Sequence, residues 1–513
     1  MHWKLPLILL GLAVIIFLGL QFGKPFWDEH VVQSTSDIKD LKGTMTVAMD
    51  SWIGYFPLCS LEMREQMKKD KWLLRCEDDK ADYAKRMEKL SHGKTDFAVA
   101  TVDSYLLNDK AYNYDGVIIL VIDESKGGDA IVANAKIVPN LDVLKANTQV
   151  KFAGTPGSPS HHLIKTVAKH FGMSELLTKG RMVETARSEE AWEKLQDGDV
   201  DVAVLWEPDV SRALNKGFVK LIGTEDMEGV IVDILVANRS FLANHPDAVE
   251  LLLKNYFDVL QYYRDNPDAL VKNVKQETDV SEDDVAKAML AGVHFSTLTE
   301  NVEKWFNAAA ATSVTVSALV KSIESAVDIL VESKDFSASP LPGNDPYRLI
   351  ASAPIAAAFE AAGGVLDAGE ITDPLTAPFK ALSGDGWGKL RRVGAVKVDP
   401  IIFQSGTANL TLEGKEIIDR MVETLEHYPR YRISIEGHTG TRGDPAVNLQ
   451  LSQERAESVQ RYLEVTYSVD ANRMRAMGHG GTKPMKKPAG EEDDAYQKYR
   501  LPRVEILFMA DPL

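Results

Sequence analysis

Cysteine and histidine are sparse in this chain of 513 residues. The two cysteines are Cys59 and Cys76, and the eleven histidines are scattered without the spacing of a metal-binding motif. We interpret the adjacent pair His161-His162 as a solvated helix start. The sequence therefore predicts neither a metal site nor a cofactor. In an oxidising compartment the two cysteines can form a disulfide, although nothing in the sequence requires one.

Positive charge is also scarce. The chain has 58 Lys and Arg residues against 75 Asp and Glu residues, which gives a formal net charge of −17. A nucleic-acid-binding surface needs basic patches that displace counterions, so we predict no nucleic-acid partner. The same acidity argues against a protein that lies flat on anionic lipid. Length and composition are those of an ordinary globular chain with two or three domains.

The common catalytic motifs are missing as well. The sequence has no G-x-S-x-G, no H-E-x-x-H and no P-loop, and no nucleophile stands beside an evident base. We therefore predict a protein that binds and does not catalyse a reaction.

One apolar run, 5–20, contains no Asp, Glu, Lys or Arg. Crossing a bilayer takes about 17–25 apolar residues, so this run lies at the short edge of a membrane span. We predict a single-pass transmembrane signal anchor over 1–22 and a stalk over 23–42, with the N-terminus in the cytoplasm and the remaining chain exported. A cleaved signal peptide is the alternative. Without an ionisable side chain, the span cannot relay protons.

Two similar segments organise the middle of the chain. The sequence KLSHGKTDFAV at 89–99 returns as KLQDGDVDVAV at 194–204, which is 105 residues later. Each predicts a helix end, a glycine stop and a buried strand. The same offset relates TMTVAMD at 44–50 to the segment at 149–154, QVKFAG. We therefore predict an α/β protein with two similar lobes and a cleft between them.

Several motifs within 43–355 are similar to those of known transport proteins. WIGYFP follows the first predicted strand, SKGGDAIV occupies 125–132, GSPSH begins a helix, and LWEP ends the second repeat. Their order and spacing resemble the solute-binding proteins of ABC importers for nitrate, sulfonates, taurine and thiamine precursors. The resemblance implies a two-lobed periplasmic-binding-protein type II fold over 43–355, with a small-molecule ligand in the cleft.

Both lobes are expected to contribute ligand contacts. Tyr55 and Trp206 can form flat apolar walls, with polar groups that orient the ligand. The serines at the start of the helix after Gly157 offer hydroxyls and free N–H groups to an anion. Glu207 favours an ammonium, so a zwitterion or a heterocyclic amine is as credible as nitrate. Alternatively, the serines are helix caps and the aromatic residues belong to the core. The candidate ligand-binding residues are Trp52, Tyr55, Ser125, Gly128, Asp129, Ser158, Ser160, Trp206 and Glu207.

The last part of the chain carries a second resemblance. An alternating strand pattern, ISIEG, precedes a glycine-rich loop and an amphipathic helix, and the segment 437–456 has the sequence GHTGTRGDPAVNLQLSQERA. It resembles the signature of peptidoglycan-associating OmpA-type domains, GHTD-x-x-G followed by N-x-x-L-S-x-x-R-A. The resemblance covers about 396–509 and implies an α+β OmpA-like domain over 395–513 that binds the cell wall.

Two family positions differ in this chain. Gly440 stands where the family has the acid that takes the ammonium of diaminopimelate, and Leu501-Pro502 replaces Asn-Arg. Arg455 matches the arginine that takes the carboxylate, and Asp444 lies close enough in sequence to replace the missing acid. Alternatively, the domain keeps only the fold and binds a protein. The candidate peptidoglycan-binding residues are Thr439, Asp444, Asn448 and Arg455.

The segment 356–394 contains an Ala-rich part and several Pro and Gly turns. It predicts a linker that allows motion between the domains, unless its Ala-rich part docks as a helix. The two resemblances therefore imply a single-pass protein of the bacterial inner membrane, with most of its chain in the periplasm. We expect a solute-binding protein with a wall-facing OmpA-like domain, acting as a ligand sensor or scaffold. The alternatives are the receptor of an ABC importer for a small anion or zwitterion, and a structural tether or accessory subunit of a membrane motor or channel complex. An inner-membrane protein is a further expected partner.

Overall fold

The computed structural model describes residues 41–178, 180–277, 282–308, 316–364, 375–487, 490 and 492–511. The predicted signal anchor, 1–22, lies outside these residues, as does nearly all of the predicted stalk, 23–42. Among the helices of the described part of the chain, none is both long and apolar enough to cross a membrane.

The strands of the described residues form three sheets. Along the chain they are β1 (Gly43–Met49), β2 (Trp72–Asp78), β3 (Phe97–Thr101), β4 (Gly116–Ser125), β5 (Asp129–Ala133), β6 (Phe152–Gly154), β7 (Met182–Glu184), β8 (Val202–Trp206), β9 (Val219–Gly223), β10 (Val232–Asn238), β11 (Val293–Phe295), β12 (Arg391–Ala395), β13 (Arg432–His438), β14 (Met474–Gly478) and β15 (Arg503–Ala510). The first lobe has the order β11-β4-β10-β3-β1-β2, the second β7-β6-β8-β5-β9, and the C-terminal domain β12-β15-β13-β14.

Helices pack against these sheets, and several begin at Ser, Thr, Asp or Asn caps that bind free N–H groups. The described α-helices are α1 (Phe56–Cys59), α2 (Leu61–Lys69), α3 (Tyr83–Ser91), α4 (Val102–Asp109), α5 (Leu141–Ala146), α6 (Pro159–His170), α7 (Ser188–Asp197), α8 (Asp209–Asn215), α9 (Arg239–Asn244), α10 (Pro246–Asp265), α11 (Pro267–Glu277), α12 (Asp283–Ala291), α13 (Leu298–Glu300), α14 (Ala318–Glu332), α15 (Ala353–Ala361), α16 (Gly384–Gly388), α17 (Leu412–Glu426), α18 (Pro445–Tyr467) and α19 (Asp493–Ala495).

The internal repeat is a structural repeat. In the first lobe β1 and β3 are parallel, with Val47 beside Phe97. In the second lobe β6 and β8 are parallel in the same register, with Phe152 beside Val202, each 105 residues further along the chain. The glycine stop after α7 is Gly198, whose positive φ of 79° is easily adopted by a residue without a Cβ. The two-lobed α/β prediction is thus confirmed.

Two short segments connect the lobes. The first hinge segment, 126–128, leads from β4 into β5, and the second, 224–231, leads from β9 back into β10. Thr224 ties them together, because its Oγ1 accepts hydrogen bonds from the N–H groups of Gly127 at 2.9 Å and Asp129 at 3.2 Å. Any opening of the cleft has to bend these two segments.

A disulfide joins Cys59 to Cys76 in the first lobe, with a Cα–Cα distance of 6.3 Å. The bond connects the end of α1 to β2 and therefore closes the segment that contains α2. The sequence left this pairing open.

The C-terminal domain packs directly on the second lobe. A single apolar cluster contains residues of both. The ring of Phe171, at the end of α6, lies 5.7 Å from that of Tyr428 and 6.0 Å from that of Phe508. A Cβ on Gly394 of β12 would lie 3.0 Å from the Phe171 ring. Burying an aromatic side chain stabilises the folded protein by about 1.5–3 kcal/mol. The shared cluster therefore holds the second lobe and the C-terminal domain together.

The predicted linker, 356–394, overlaps ordered elements at both ends. Its Ala-rich start belongs to α15, which packs against α10 and buries Ile355 and Ala358. The Ala-rich part therefore docks as a helix, which is the alternative that the sequence left open. At the other end, β12 begins at Arg391 and pairs with β15, so the C-terminal sheet starts inside the predicted linker.

Candidate functional site

Four carboxyl groups gather at one edge of the first-lobe sheet. Asp50 follows β1, Asp103 follows β3, Asp123 lies near the end of β4, and Asp233 lies near the start of β10. Because β10 runs antiparallel to its two neighbours, Asp233 lies beside both Thr101 and Asp123. All four carboxyl groups are buried. Ligands of open α/β sheets bind at this kind of edge, outside the carboxyl ends of the strands.

Trp52 and Tyr55, two of the predicted ligand contacts, lie against these acids. The Tyr55 hydroxyl donates a hydrogen bond to Asp233, and Trp52 Nε1 donates to Asp123 Oδ1 at 3.4 Å. Burial raises the pKa of Asp123 to about 7. Burial and the charge of Asp123 raise the pKa of Asp233. Both carboxyl groups therefore bind a proton more readily than an ordinary aspartate does.

Ser125, Gly128 and Asp129 lie in or beside the first hinge segment. The Asp129 carboxylate accepts hydrogen bonds from Ser125 Oγ at 2.9 Å and from Ser160 Oγ of α6 at 2.6 Å. Burial raises the pKa of Asp129 to about 6. A Cβ on Gly128 would lie 2.6 Å from Cη2 of Trp52, so the missing side chain lets the indole approach the hinge.

The two serines predicted as ligand contacts at the start of α6 form hydrogen bonds within the protein. Ser158 caps the helix, because its Oγ accepts from the His161 N–H at 3.2 Å, and its hydroxyl donates to the Thr155 carbonyl at 2.8 Å. Ser160 donates to Asp129. Both hydroxyls are therefore engaged, and a carboxylate lies beside one of them. An added anion at this position would be repelled by that carboxylate.

Trp206 and Glu207 lie at the corresponding edge of the second lobe. Trp206 is half-buried and pairs with Asp129 across the sheet. The Glu207 N–H donates to the Gly128 carbonyl at 2.8 Å, and its carboxylate accepts from Ser211 Oγ at 2.8 Å. Burial raises the pKa of Glu207. Direct contacts thus connect eight of the nine predicted residues across the hinge and the two facing edges, whereas Ser158 bonds to Thr155 and His161.

Sequence reasoning missed one contact between the lobes. His162 on α6 and Asp103 on α4 are both buried, with Nδ1 of the histidine 3.9 Å from Oδ2 of the acid. Within the described residues, His162 Nδ1 has no hydrogen-bond partner. Burial lowers the pKa of His162 to about 3 and raises that of Asp103 to about 7. The interpretation of His162 as part of a solvated helix start was wrong, because α6 packs against both α4 and α14.

The buried acids were also missed. The available signal was the position of each Asp, at or just beyond the end of an apolar strand, as in TMTVAMD, FAVATVD and VIILVID. Single acids after strands are common at loops, so only their assembly at one edge distinguishes them. Trp52 and Tyr55 hydrogen-bond to two of these buried acids, and Trp206 pairs with Asp129 on the facing edge of the second lobe. A ligand group that entered between these edges would meet aromatic rings and carboxyl groups, which favour a positive charge or N–H donors.

The second candidate site is the loop 438–443 of the C-terminal domain. The Thr439 N–H donates to the Gly480 carbonyl at 2.9 Å. A Cβ on Gly440 would lie 3.0 Å from the carbonyl oxygen of Gln497 and 3.2 Å from its Oε1. Gln497 Oε1 also accepts from the Thr441 N–H at 2.9 Å. Gln497 therefore lies against the position from which the family acid would extend.

Asp444 and Asn448 shape the far side of this loop. The Asp444 carboxylate accepts hydrogen bonds from the N–H groups of Ala446 at 2.7 Å and Val447 at 3.2 Å, which caps α18. Asn448 Nδ2 donates to the Arg442 carbonyl at 2.9 Å. Asp444 thus already has partners in the role of a helix cap, and any ammonium would have to share this carboxylate.

Arg455 is placed to receive a carboxylate. Its Nε donates to the Thr407 carbonyl at 3.1 Å, and its guanidinium lies 5.1 Å from the centre of the Phe403 ring. Toward the residues that the structure describes, its terminal nitrogens make no hydrogen bond. Burial lowers its pKa. In contrast, the exposed Arg442 forms ion pairs with Asp493 and Asp494.

Family comparisons agree with both parts of the structure. Residues 131–291 match the substrate-binding domain of the ABC-type glycine betaine transport system, and residues 402–498 match the OmpA family. The middle of the chain is therefore similar to an ABC-type substrate-binding domain and its C-terminal part to the OmpA family, as the two sequence resemblances predicted. Both matched families are binding proteins.

The curated relatives match a limited part of the chain. The peptidoglycan-associated lipoprotein of Rhizobium meliloti is 37% identical over 87 residues, which are 17% of this chain and 49% of that protein. The probable lipoprotein YiaD of Escherichia coli is 33% identical over 106 residues, 21% of this chain and 46% of that protein. The chain thus spans about half the length of these relatives.

A solved structure agrees with the two-lobed fold. The periplasmic sulfonate-binding protein SsuA of Methylobacillus flagellatus KT has a TM-score of 0.50 at 13% identity, covering 65% of this chain and 100% of that one. At this identity the likeness concerns the fold alone. The periplasmic-binding-protein fold that the sequence predicted is therefore present.

Proposed function

We propose that this protein is a solute sensor of the bacterial cell envelope, which binds a small ligand between its lobes and holds the cell wall with its OmpA domain. One observation carries the proposal. The turn 427–431 of the OmpA domain is hydrogen-bonded to the second hinge segment, where Tyr431 donates to Asp226 at 2.9 Å and the Glu228 N–H donates to the His427 carbonyl at 2.9 Å.

The contacts of the OmpA domain with the two lobes differ in kind. With the second lobe it shares a buried apolar cluster. With the first lobe it meets α14 through exposed polar groups, for example Lys321 with Glu426 at 3.1 Å and Lys397 with Glu332 at 3.0 Å. Exposed ion pairs contribute only about 0–1 kcal/mol each. Lobe opening would therefore move the first lobe against a unit made of the second lobe and the OmpA domain.

The proposed ligand is a small zwitterion or amine. Buried acids and aromatic rings lie together at the edge of the first lobe that faces the second, and the serine hydroxyls that could hold a bare anion are engaged with protein groups. Aromatic faces and carboxylates are the groups that recognise an ammonium. The match to a glycine betaine binding domain supports this class, and the sulfonate-binding likeness supports the fold only.

In this proposal the segment 1–22 anchors the chain in the inner membrane and the OmpA domain meets peptidoglycan. A protein held at both ends cannot carry solute by diffusion, which favours sensing over delivery. Closure of the lobes would change the surface that the first lobe presents to an inner-membrane partner. The OmpA match and the similarity to peptidoglycan-associated lipoproteins support the wall contact.

A second candidate function is the receptor of an ABC importer, because the matched family belongs to such a transport system. A receptor would need the cleft to open toward a permease while the OmpA domain is bound. The two functions differ in what ligand binding does to the OmpA domain, and this difference can be measured.

The test places spin labels on the full-length chain in nanodiscs. One pair, Lys85→Cys on α3 and Glu413→Cys on α17, spans the first lobe and the OmpA domain. The control pair, Asp199→Cys after α7 and Glu413→Cys, spans the second lobe and the OmpA domain; all three positions are exposed. Glycine betaine and an alkanesulfonate serve as probes, with binding measured by calorimetry.

We expect glycine betaine to bind and to change the first distance while the second stays constant. A Tyr55→Phe, Asp123→Asn variant should bind it more weakly. Binding without any change in the first distance would contradict the sensor. Binding of the sulfonate in preference to the zwitterion would contradict the proposed ligand class.

A further inference from the structure

Three side chains that can act as metal ligands lie close together on the C-terminal sheet. Glu436 and His438 alternate along β13, and Glu505 on β15 lies directly opposite Glu436. Gly437, between the first two, faces α18, because a Cβ there would lie 2.0 Å from the Ser452 carbonyl oxygen. Neighbouring residues of a strand point to opposite faces, so Glu436, His438 and Glu505 share the face away from α18.

The donor atoms of these three residues have the spacing of a metal site. One donor atom from each lies within 4.8 Å of the other two. His438 Nε2 and Glu505 Oε2 are 3.8 Å apart, which is too far for a hydrogen bond. Two ligands of one zinc ion lie about 3.4 Å apart, since zinc–nitrogen and zinc–oxygen bonds measure about 2.0–2.2 Å. A small shift of either side chain would bring both onto one ion.

The histidine itself lacks partners. His438 is 1% exposed, and neither of its ring nitrogens has a hydrogen bond to the described part of the chain. A neutral imidazole carries one donor and one acceptor, and burying both without partners is costly. Packing alone does not explain why the unpartnered His438 imidazole is buried beside two carboxylates. A bound metal ion would supply the partner that one ring nitrogen needs.

A second histidine lies beside the group. His479 follows β14, and its Nε2 is 2.8 Å from Glu436 Oε2. Its ring is 5.1 Å from the ring of His438. His479 is not one of the three residues whose donor atoms lie within 4.8 Å of one another. With it, two imidazoles and two carboxylates would make a four-ligand set for a divalent ion of intermediate softness.

We propose that Glu436, His438 and Glu505, together with His479, bind a divalent transition-metal ion of the zinc class. The ion would join β13, β15 and the residue after β14. His438 is also the first residue of the loop 438–443, so the ion would fix the base of the candidate wall-binding loop. The sequence predicts no metal site because the ligands are scattered along the chain, and only the strand register assembles them.

Two cationic side chains contact these carboxylates. Lys483 Nζ lies 3.4 Å from Glu436 Oε2, and Arg503 Nε lies 2.7 Å from Glu505 Oε1. The Lys483 side chain is 56% exposed, so its ammonium can move into solvent. Arg503 contacts the oxygen of Glu505 that does not face His438. Metal binding therefore competes with Lys483 and leaves the arginine contact intact.

Calorimetric titration of the full-length chain with Zn²⁺ alone, in the presence of a weak competing chelator, tests the site. The expected result is one bound ion, with affinity reduced more than about tenfold in His438→Gln and in Glu505→Gln. Lys483→Met should bind the ion more tightly because it removes the competing ammonium. His294→Gln is the matched control, since His294 also faces a carboxylate, Glu300 at 2.7 Å, but lies in the first lobe.

Absence of Zn²⁺ binding would overturn the proposal, as would an affinity in His438→Gln and Glu505→Gln equal to that of the control. His438 is buried, so its replacement can disturb folding. Glu505 is partly exposed, and the tighter binding expected of Lys483→Met cannot arise from misfolding. Unchanged affinity in Lys483→Met would therefore contradict the proposed geometry independently of the histidine variant.

Discussion

His427 and Glu228 exchange two hydrogen bonds across the junction between the OmpA domain and the hinge. The Glu228 N–H donates to the His427 carbonyl at 2.9 Å, and His427 Nδ1 donates to the Glu228 carbonyl at 2.7 Å. Glu228 belongs to the second hinge segment, and its carboxylate also pairs with Lys126 of the first, at 2.5 Å. The OmpA domain therefore contacts the part of the binding domain that has to bend when the lobes open.

Removing the aromatic ring at the shared core should weaken two domains at once. Phe171→Ala deletes the ring that contacts Tyr428 and Phe508. Replacing a core phenylalanine by alanine lowers the free energy of unfolding by about 3–5 kcal/mol. We expect faster amide hydrogen exchange both in α6 and in β13–β15. Trp192→Ala is the control, because Trp192 packs against Phe218 in a separate cluster of the second lobe. Equal exchange of β13–β15 in the two variants would contradict the shared core.

The buried Asp103 should make stability depend on pH. Burial raises its pKa to about 7, so between about pH 4 and pH 7 the folded protein holds a proton that the unfolded chain has lost. This contribution to the free energy of unfolding is complete below about pH 4 and is lost as the pH rises through 7.

The Asp103→Asn variant cannot ionise. We expect it to unfold at nearly the same temperature as the unchanged protein near about pH 4, and at a clearly higher temperature near about pH 8. Thermal unfolding followed by circular dichroism measures both. Asp199→Asn, at an exposed position after α7, is the control. A gain for Asp103→Asn that is the same at both pH values would show that ionisation is not the cause.

Wall binding should depend on Arg455 and not on Arg442. The terminal nitrogens of Arg455 can still take a carboxylate, whereas Arg442 is paired with two acids. Co-sedimentation of the full-length chain with purified peptidoglycan should fall strongly in Arg455→Ala and stay close to the original level in Arg442→Ala. No binding by the unchanged protein would instead favour a domain that keeps the fold and contacts a protein.

The disulfide should stabilise the first lobe because it restricts the conformations of the unfolded chain. Cys59 and Cys76 are 17 residues apart in sequence. Closing a loop of this size adds about 3 kcal/mol to the free energy of unfolding. The Cys59→Ser, Cys76→Ser variant should unfold at a lower temperature than the oxidised protein. Reductant should lower the unfolding temperature of the unchanged protein and have no effect on the variant. An equal response of both proteins to reductant would contradict this assignment.

Local sequence signals predicted much of the fold. The repeat KLxxGxxDxAV places a glycine after each helix and an apolar run behind it, and these became the equivalent strands β3 and β8. The alternation of Ile433 and Ile435 predicted β13, and the glycine-rich loop after it predicted the start of α18. These signals work because backbone conformation depends on near neighbours and on the period of apolar residues.

The candidate site was predicted only in part. Trp52, Tyr55 and Trp206 were predicted because they belong to the motifs WIGYFP and LWEP, which resemble those of solute-binding proteins. Asp123 and Asp233 did not, because nothing in the sequence places them side by side. Their proximity follows from the antiparallel register of β4 and β10, two strands separated by the whole second lobe. The burial that raises the pKa of both acids has the same origin.

The sequence by itself determined the elements, the two lobes and the OmpA domain, since each follows from patterns within short segments. Only the tertiary structure decided how these parts relate. It placed Phe171 against Tyr428, joined His427 to the hinge, and brought Glu436, His438 and Glu505 together. Such contacts depend on which surfaces bury the most apolar area together, and this depends on residues far apart in the chain.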